Sequence, residues 1–306
     1  MFAAVRRFLS LLALLACLAG CGGDDSGGGS ERGTIALDFQ PNAVHAGIYA
    51  SGLRIRVPAA STDSLKLLAA GRADMSVVDI HDLGLARQAG SDIVGVGALV
   101  QRPLAAVIAR GGDVRRPRDL EGKRVGVTGL PSDEAVLRAV VEHDGGDYDR
   151  VRKVTIGFSA VPSLITGKVD AVVAFWNAEG VTLRRRGVAT REFRVDDYGA
   201  PRYPELVLAV TRTTLEEHQR LVDDMLGAIA EGTDTALRDR DDSIDKLVRA
   251  SGADAPLVRA ELTAVAPALQ PPVELDQAAL QAWACFDARF GILRHEPDVS
   301  QAFFVR

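Results

Sequence analysis

Leu68-Ala69-Ala70-Gly71-Arg72-Ala73-Asp74-Met75-Ser76-Val77-Val78-Asp79 lines up without a gap on Leu164-Ile165-Thr166-Gly167-Lys168-Val169-Asp170-Ala171-Val172-Val173-Ala174-Phe175. Each copy reads as a helix end, a Gly-basic-x-Asp turn and a buried strand. Glycine suits the left-handed C-cap, the basic residue complements the helix C-terminus, and the apolar run after Asp fits a strand covered on both faces. One supersecondary unit used twice predicts two similar lobes. Gly-basic-x-Asp is also a common exit from helix to strand, so a chance match is the alternative.

Around these copies, further strands are predicted over Thr34–Asp38, Leu53–Val57, Ile93–Val100, Leu104–Ala109, Arg124–Thr128, Val154–Gly157 and Leu206–Thr211. Helical periods fill Ser132–His143, Asn177–Arg186, Thr214–Leu237, Asp242–Ala250, Pro256–Val265 and Asp276–Phe290. The class is α/β with a helical C-terminal third. Pro117–Lys123 reads as a hinge-flanking turn into a second lobe, and the chain is expected to return near Pro201–Pro204. The expected division is residues 34–107 with 201–306 for the first lobe and 108–200 for the second.

The first 33 residues read as outside the fold. Arg6 and Arg7 precede an apolar run, Phe8–Ala19, too short to span a bilayer, so residues 1–20 are expected to be an export signal. Leu18-Ala19-Gly20-Cys21 resembles a lipobox, in which Cys21 is lipidated and becomes the first mature residue; an ordinary signal peptide followed by a coincidental cysteine is the alternative. Residues 21–33, rich in Gly, Ser and Asp, would form a flexible tether reaching about 20 Å. Cys17 leaves with the signal and Cys285 remains alone, so no intrachain disulfide is expected. The remaining ~275 residues suffice for a core, 47% of the whole chain being apolar. Loss of Arg6 and Arg7 takes the formal net charge from −5 to −7, which argues against a nucleic-acid partner.

Leu37-Asp38-Phe39-Gln40-Pro41-Asn42-Ala43-Val44-His45-Ala46-Gly47-Ile48-Tyr49-Ala50 gathers an aromatic ring, an amide, an imidazole and a phenol at one strand-to-helix corner. With a helix over Pro41–Ala50, Ala43, Ala46, Gly47 and Ala50 form a small stripe suited to lying on a sheet, while Asn42, His45 and Tyr49 face a cleft. In Thr128–Glu134, Ser132 reads as an N-cap and Asp133 and Glu134 would oppose an anion. Phe175-Trp176-Asn177-Ala178-Glu179-Gly180 ends the second copy where open α/β sheets place ligands, unless Trp176 is a core-edge residue. Asp79, His81 and Asp82 end the first copy similarly, though an Asp there also caps a helix. Tyr198, Tyr203 and Glu205 fall at the return crossover, expected to be a solvated loop.

The five histidines, His45, His81, His143, His218 and His295, show no metal-ligand spacing. Gly-x-Ser-x-Gly, phosphate-loop and dinucleotide motifs are absent, so no metal, cofactor or catalytic residue is expected. A nucleophile assembled from distant residues stays open at this level.

The corner resembles the signature Leu-Asp-Trp-x-Pro-Asn-x-x-His-x-Gly-Leu-Tyr of the family joining periplasmic thiamine-precursor binding proteins with fungal pyrimidine synthases, in Leu37, Asp38, Pro41, Asn42, His45, Gly47 and Tyr49. The similarity continues through Arg118-Asp119-Leu120-Glu121-Gly122-Lys123, the Thr128–Glu134 loop and the Phe175–Gly180 turn. It implies a two-lobed, type II periplasmic-binding-protein-like fold with its ligand cleft between lobes. It also implies a lipid-anchored, extracytoplasmic solute-binding protein, working as a monomer with an ABC permease and no cofactor. The implied ligand is a heteroaromatic molecule, a thiamine-precursor pyrimidine. Phe39, Tyr49 and Trp176 would flank its ring and Asn42, His45 and Glu179 its edge, with Asp38, Asp79, Asn177 and Tyr203 completing the site. Phe39 stands where the family usually has tryptophan, the segment after Tyr49 is short, and the synthases' cysteine-rich motif is absent. Three other readings stay open: a pyrimidine-forming or hydrolytic enzyme on the same fold, a binding protein for sulfonate or riboflavin-like ligands, and an envelope interaction protein without a ligand.

Overall fold

A computed structural model describes residues 33–60 and 63–305. The expected export signal and Cys21 lie outside them, as does all of the tether except Gly33. That glycine belongs to the fold: its carbonyl accepts from Arg54 N–H at 3.1 Å.

Among the described residues, ten strands form two five-stranded sheets. They are β1 (Thr34–Ala36), β2 (Arg54–Arg56), β3 (Met75–Asp79), β4 (Ile93–Val100), β5 (Ala105–Arg110), β6 (Arg124–Val127), β7 (Arg152–Thr155), β8 (Ala171–Phe175), β9 (Thr190–Arg194) and β10 (Leu206–Thr211). The first sheet runs β2-β1-β3-β10-β4 and the second β7-β6-β8-β5-β9. In each, three parallel strands lie beside a pair of which the inner is antiparallel to both neighbours. The helices are α1 (Ala46–Ala50), α2 (Asp63–Ala69), α3 (Ile80–Gln88), α4 (Pro131–His143), α5 (Ala160–Ile165), α6 (Glu179–Arg185), α7 (Arg212–Glu217), α8 (Gln219–Arg238), α9 (Arg240–Ser251), α10 (Ala255–Val265), α11 (Gln277–Arg289) and α12 (Val299–Ala302). This is the two-lobed α/β architecture expected.

The aligned copies occupy equivalent places. Gly71 and Gly167 leave α2 and α5 with φ of 62° and 71°, the left-handed region that glycine enters without a Cβ penalty. The next acidic residue then closes on the neighbouring strand: Asp74 Oδ2 accepts from Thr34 N–H at 2.7 Å, and Asp170 Oδ2 from Arg124 N–H at 2.9 Å. β3 and β8 follow, each flanked in its sheet on both sides.

Several local expectations are corrected. β9, with its alternating charged residues, is a strand that the apolar pattern did not indicate. All of β5 pairs with β8 and β9, so the outward crossover lies at residues 101–104, not after 107. Pro117–Leu120 is a 3-10 turn between β5 and β6, inside the second lobe and not beside the hinge. α4 starts at Pro131 after Leu130, and Ser132 is no cap; the acceptor there is Asp133, which takes the Thr128 N–H and hydroxyl. The Leu37–Ala50 corner begins as a 3-10 turn, Ala43–His45, capped by Asn42. Its small residues lie on helix α8, not on a sheet: a Cβ on Gly47 would stand 2.1 Å from Thr233 Oγ1, and one on Gly232 2.3 Å from the Gly47 carbonyl oxygen.

Candidate functional site

Parallel strands of an α/β sheet offer ligands the loops at their C-terminal ends. β1 delivers Asp38 and Phe39 from the first lobe, and β7 delivers Phe158 from the second. Phe39 and Phe158 meet across the lobes, with ring centroids 5.5 Å apart and planes 24° from parallel. Phe158 is 67% exposed, a large apolar surface held out in water. Sequence reasoning passed over it; its place at the end of a strand equivalent to β2 was the available signal.

Beside Phe39, the imidazole of His45 is fully buried. Its Nδ1 accepts from Asn42 N–H at 3.2 Å, which leaves the proton on Nε2 to donate to Asp38 Oδ1 at 2.6 Å. Asn42 Oδ1 accepts from Val44 N–H at 3.0 Å, and its amide donates to the Gln40 carbonyl at 3.1 Å. Asn42 and His45, expected to face a cleft, are therefore spent on building the corner, and the group they hold toward it is the half-buried Asp38 carboxylate. Tyr49, half-buried on α1, has its phenol pushed up by burial.

From the second lobe, β8 leads into Trp176, Asn177 and Glu179. Trp176 is only 2% exposed: its indole N–H donates to the Pro103 carbonyl at 3.0 Å, its backbone N–H to the Leu104 carbonyl at 3.0 Å, and the Arg194 guanidinium lies 4.1 Å from its ring centre. It packs on the crossover in place of presenting an open stacking face. Asn177 is buried with Oδ1 lacking any hydrogen-bond partner. Glu179 Oε2 accepts from Phe175 N–H at 3.1 Å, and burial pushes its carboxyl up.

The first lobe supplies a carboxylate from an unexpected element. Glu261 of α10 is 8% exposed and packed within the stripe Val258, Leu262 and Val265. α10 lies against both the Ala43–His45 turn and α6. Burial, then the charges of Glu179 and Asp254, push Glu261 up to about 7. An acidic residue inside an apolar 3–4 period was the readable signal.

The remaining expected residues stand apart. Asp79 caps α3, its Oδ1 accepting from His81 N–H at 2.8 Å. Tyr203 and Glu205, expected in a solvated loop, are buried. His81 donates through Nδ1 to Asp287 at 2.8 Å and through Nε2 to the Tyr203 hydroxyl at 3.2 Å. Burial pulls this imidazole down, but the carboxylate of Asp287, together with Asp79 and Glu205, pushes it up to about 10. Glu205 Oε2 accepts from Leu104 N–H at 2.8 Å, while its backbone N–H donates to Val100 and its carbonyl accepts from Ile80. Both crossovers are thus pinned by buried polar groups. Among the described residues no cluster suits a metal ion, and no helix is long and apolar enough to cross a membrane.

The NMT1/THI5 like family profile matches residues 46–243. The formylaminopyrimidine-binding protein of Halalkalibacterium halodurans is 31% identical over 260 residues, covering 81% of this chain and 78% of its own. A 4-amino-5-hydroxymethyl-2-methylpyrimidine phosphate synthase of Saccharomyces cerevisiae is 25% identical over 156 residues, 46% of this chain and 45% of its own. Among solved structures, the periplasmic aliphatic sulphonate binding protein of Escherichia coli superposes with a TM-score of 0.74 at 17% identity, covering 88% of this chain and 96% of that one.

Proposed function

We propose a function from one premise: the chain belongs to the NMT1/THI5-like family. It is the solute-binding component of an ABC importer, and its ligand is a thiamine-precursor pyrimidine held between the lobes. The observation that carries this reading is the near-parallel pair Phe39 and Phe158, one ring from each lobe. Parting the lobes separates two flat apolar faces, and a planar heteroaromatic ring between them gains stacking on both sides. Asp38 beside Phe39, and Glu179 with Asn177 from the second lobe, supply acceptors for ring amino groups. A sulfonate brought among Asp38, Glu179 and Glu261 would be repelled.

The protein acts by capture and release, not by chemistry. In this reading the body works outside the cytoplasm as a monomer, tethered through acylated Cys21 beside its permease. Tyr49 and Trp176 act as walls behind the contacting groups, and Asp79 and Tyr203 as supports of the frame.

Thermal shift tests this reading. At about 100 times its dissociation constant a ligand adds ~2.7 kcal/mol of stability. 4-Amino-5-hydroxymethyl-2-methylpyrimidine or its formylamino relative should raise the melting temperature of the wild type, and F158A should blunt that rise while melting normally without ligand. A rise with alkylsulfonates and none with pyrimidines would exclude the proposal.

A further inference from the structure

Glu261 is anomalous for a carboxylate. It is nine-tenths buried on an apolar helix face, and its carboxyl oxygens, to which no protein group among the described residues donates a hydrogen bond, keep contact with solvent. A carboxyl group largely withdrawn from water without a protein partner is costly, and a native chain retains one where something else completes it. Its surroundings do not. α6 brings Glu179, a like charge, and Arg185, whose Nη2 reaches Asp254 at 3.9 Å. α9 brings Asp241, already paired with Arg259 at 2.6 Å. The Ala43–His45 turn brings His45, whose proton is directed at Asp38. The apolar 266–269 turn adds no charge.

Resting on the pyrimidine reading above, we infer that Glu261 is the first-lobe contact for the amidine-like edge of the ligand, opposite Glu179 of the second lobe. An aminopyrimidine edge offers one donor, the exocyclic amino group, and one acceptor, the adjacent ring nitrogen. A carboxyl group carrying its proton matches both: its carbonyl oxygen accepts from the amino N–H while its hydroxyl donates to the ring nitrogen. Two facing carboxyls share protons more readily than they both ionise, so the pair is suited to hold one proton near neutrality. A 4-oxo pyrimidine has its donor and acceptor reversed at this edge, and the same carboxyl meets it with the proton on its other oxygen.

The sign of the pH dependence follows. The proton needed for binding is present below about pH 7 and is lost above it. Affinity of the wild type for 4-amino-5-hydroxymethyl-2-methylpyrimidine should therefore fall several-fold between about pH 6 and about pH 8.5. A glutamine side chain reproduces the acceptor–donor pattern without titrating. E261Q should keep affinity within about threefold at pH 6 and lose the pH dependence, and E261A should weaken binding about tenfold or more.

Isothermal titration calorimetry on the full chain, with the amino and 4-oxo pyrimidines at both pH values, decides the matter. Melting temperatures of both variants without ligand check folding. Wild-type-like binding by E261A, or an unchanged pH profile in E261Q, overturns the role of Glu261 and leaves the pyrimidine reading standing. Failure of the wild type to bind either pyrimidine overturns both.

Discussion

In the first lobe Asp74 closes on the Thr34 N–H at 2.7 Å, and in the second Asp170 closes on the Arg124 N–H at 2.9 Å. Up to this point the copies are interchangeable: a left-handed glycine, a carboxylate bridging two parallel strands, a buried central strand. Beyond the strand they part. The first copy ends in Asp79, which caps α3, and the second ends in Phe175, followed by Trp176 wedged on the crossover and Glu179 beside the cleft. The shared portion builds a sheet, and the divergent portion assigns one lobe a plain helix start and the other a wall packed on the crossover between the lobes.

Three pairs of substitutions, and one further change at Asp170, break or sharpen this comparison. The largest effect is expected at its divergent end: Trp176→Ala removes a buried indole and should cost about 3–5 kcal/mol in urea unfolding. Asp79→Ala, the corresponding strand end in the first lobe, loses a cap worth about 1 kcal/mol. Equal losses would erase the contrast. Next come Asp74→Ala and Asp170→Ala, each leaving a strand N–H without its acceptor and each costing about 1–2 kcal/mol by the same measurement.

Asp170 adds a pH signature. The Arg124 side-chain hydrogen bond holds its carboxyl below the usual range. Its stabilisation is complete above the unfolded value of about 4 and is lost as pH falls through the lower folded value. Asp170→Asn should therefore flatten the acid limb of the stability curve. The smallest effect belongs to Gly71→Ala and Gly167→Ala, each forcing a Cβ into the left-handed region at a cost of about 1 kcal/mol. A matching pair of values, read from denaturation midpoints, marks the two turns as equivalent.

The fold was legible because its determinants are local and repeated. Apolar runs such as Ile93–Val100 and the Gly-basic-x-Asp turns state their structure within a dozen residues. β9 was not legible, since Thr190–Arg194 carries three charged residues at a sheet edge and owes its strand geometry to β5. The candidate site was legible as a neighbourhood more than as roles. The corner motif drew attention to Asn42 and His45, but backbone bonds that only the folded turn creates consume both side chains. Trp176 and Tyr203 carried the chemistry of contact residues, yet their polar atoms are taken by Pro103 and His81, far from them in the chain. Phe158 and Glu261 were overlooked because the ring or charge that each one faces lies on the other lobe.

The placement of β10 has a consequence for how the chain comes to be folded. The second sheet draws all its strands from residues 105–194, one uninterrupted span. The first sheet has β10 at its interior, between β3 and β4, so its two parts cannot join until the whole of the intervening lobe has been made. Phe304 N–H then reaches the Gly95 carbonyl at 2.9 Å, tying almost the last described residue to β4. Pairings of such long sequence separation form slowly. A chain emerging N-terminus first would hold a finished second lobe while β1 to β4 still waited for the interior strand between β3 and β4, and this open, apolar half-sheet is the state most in need of protection from aggregation.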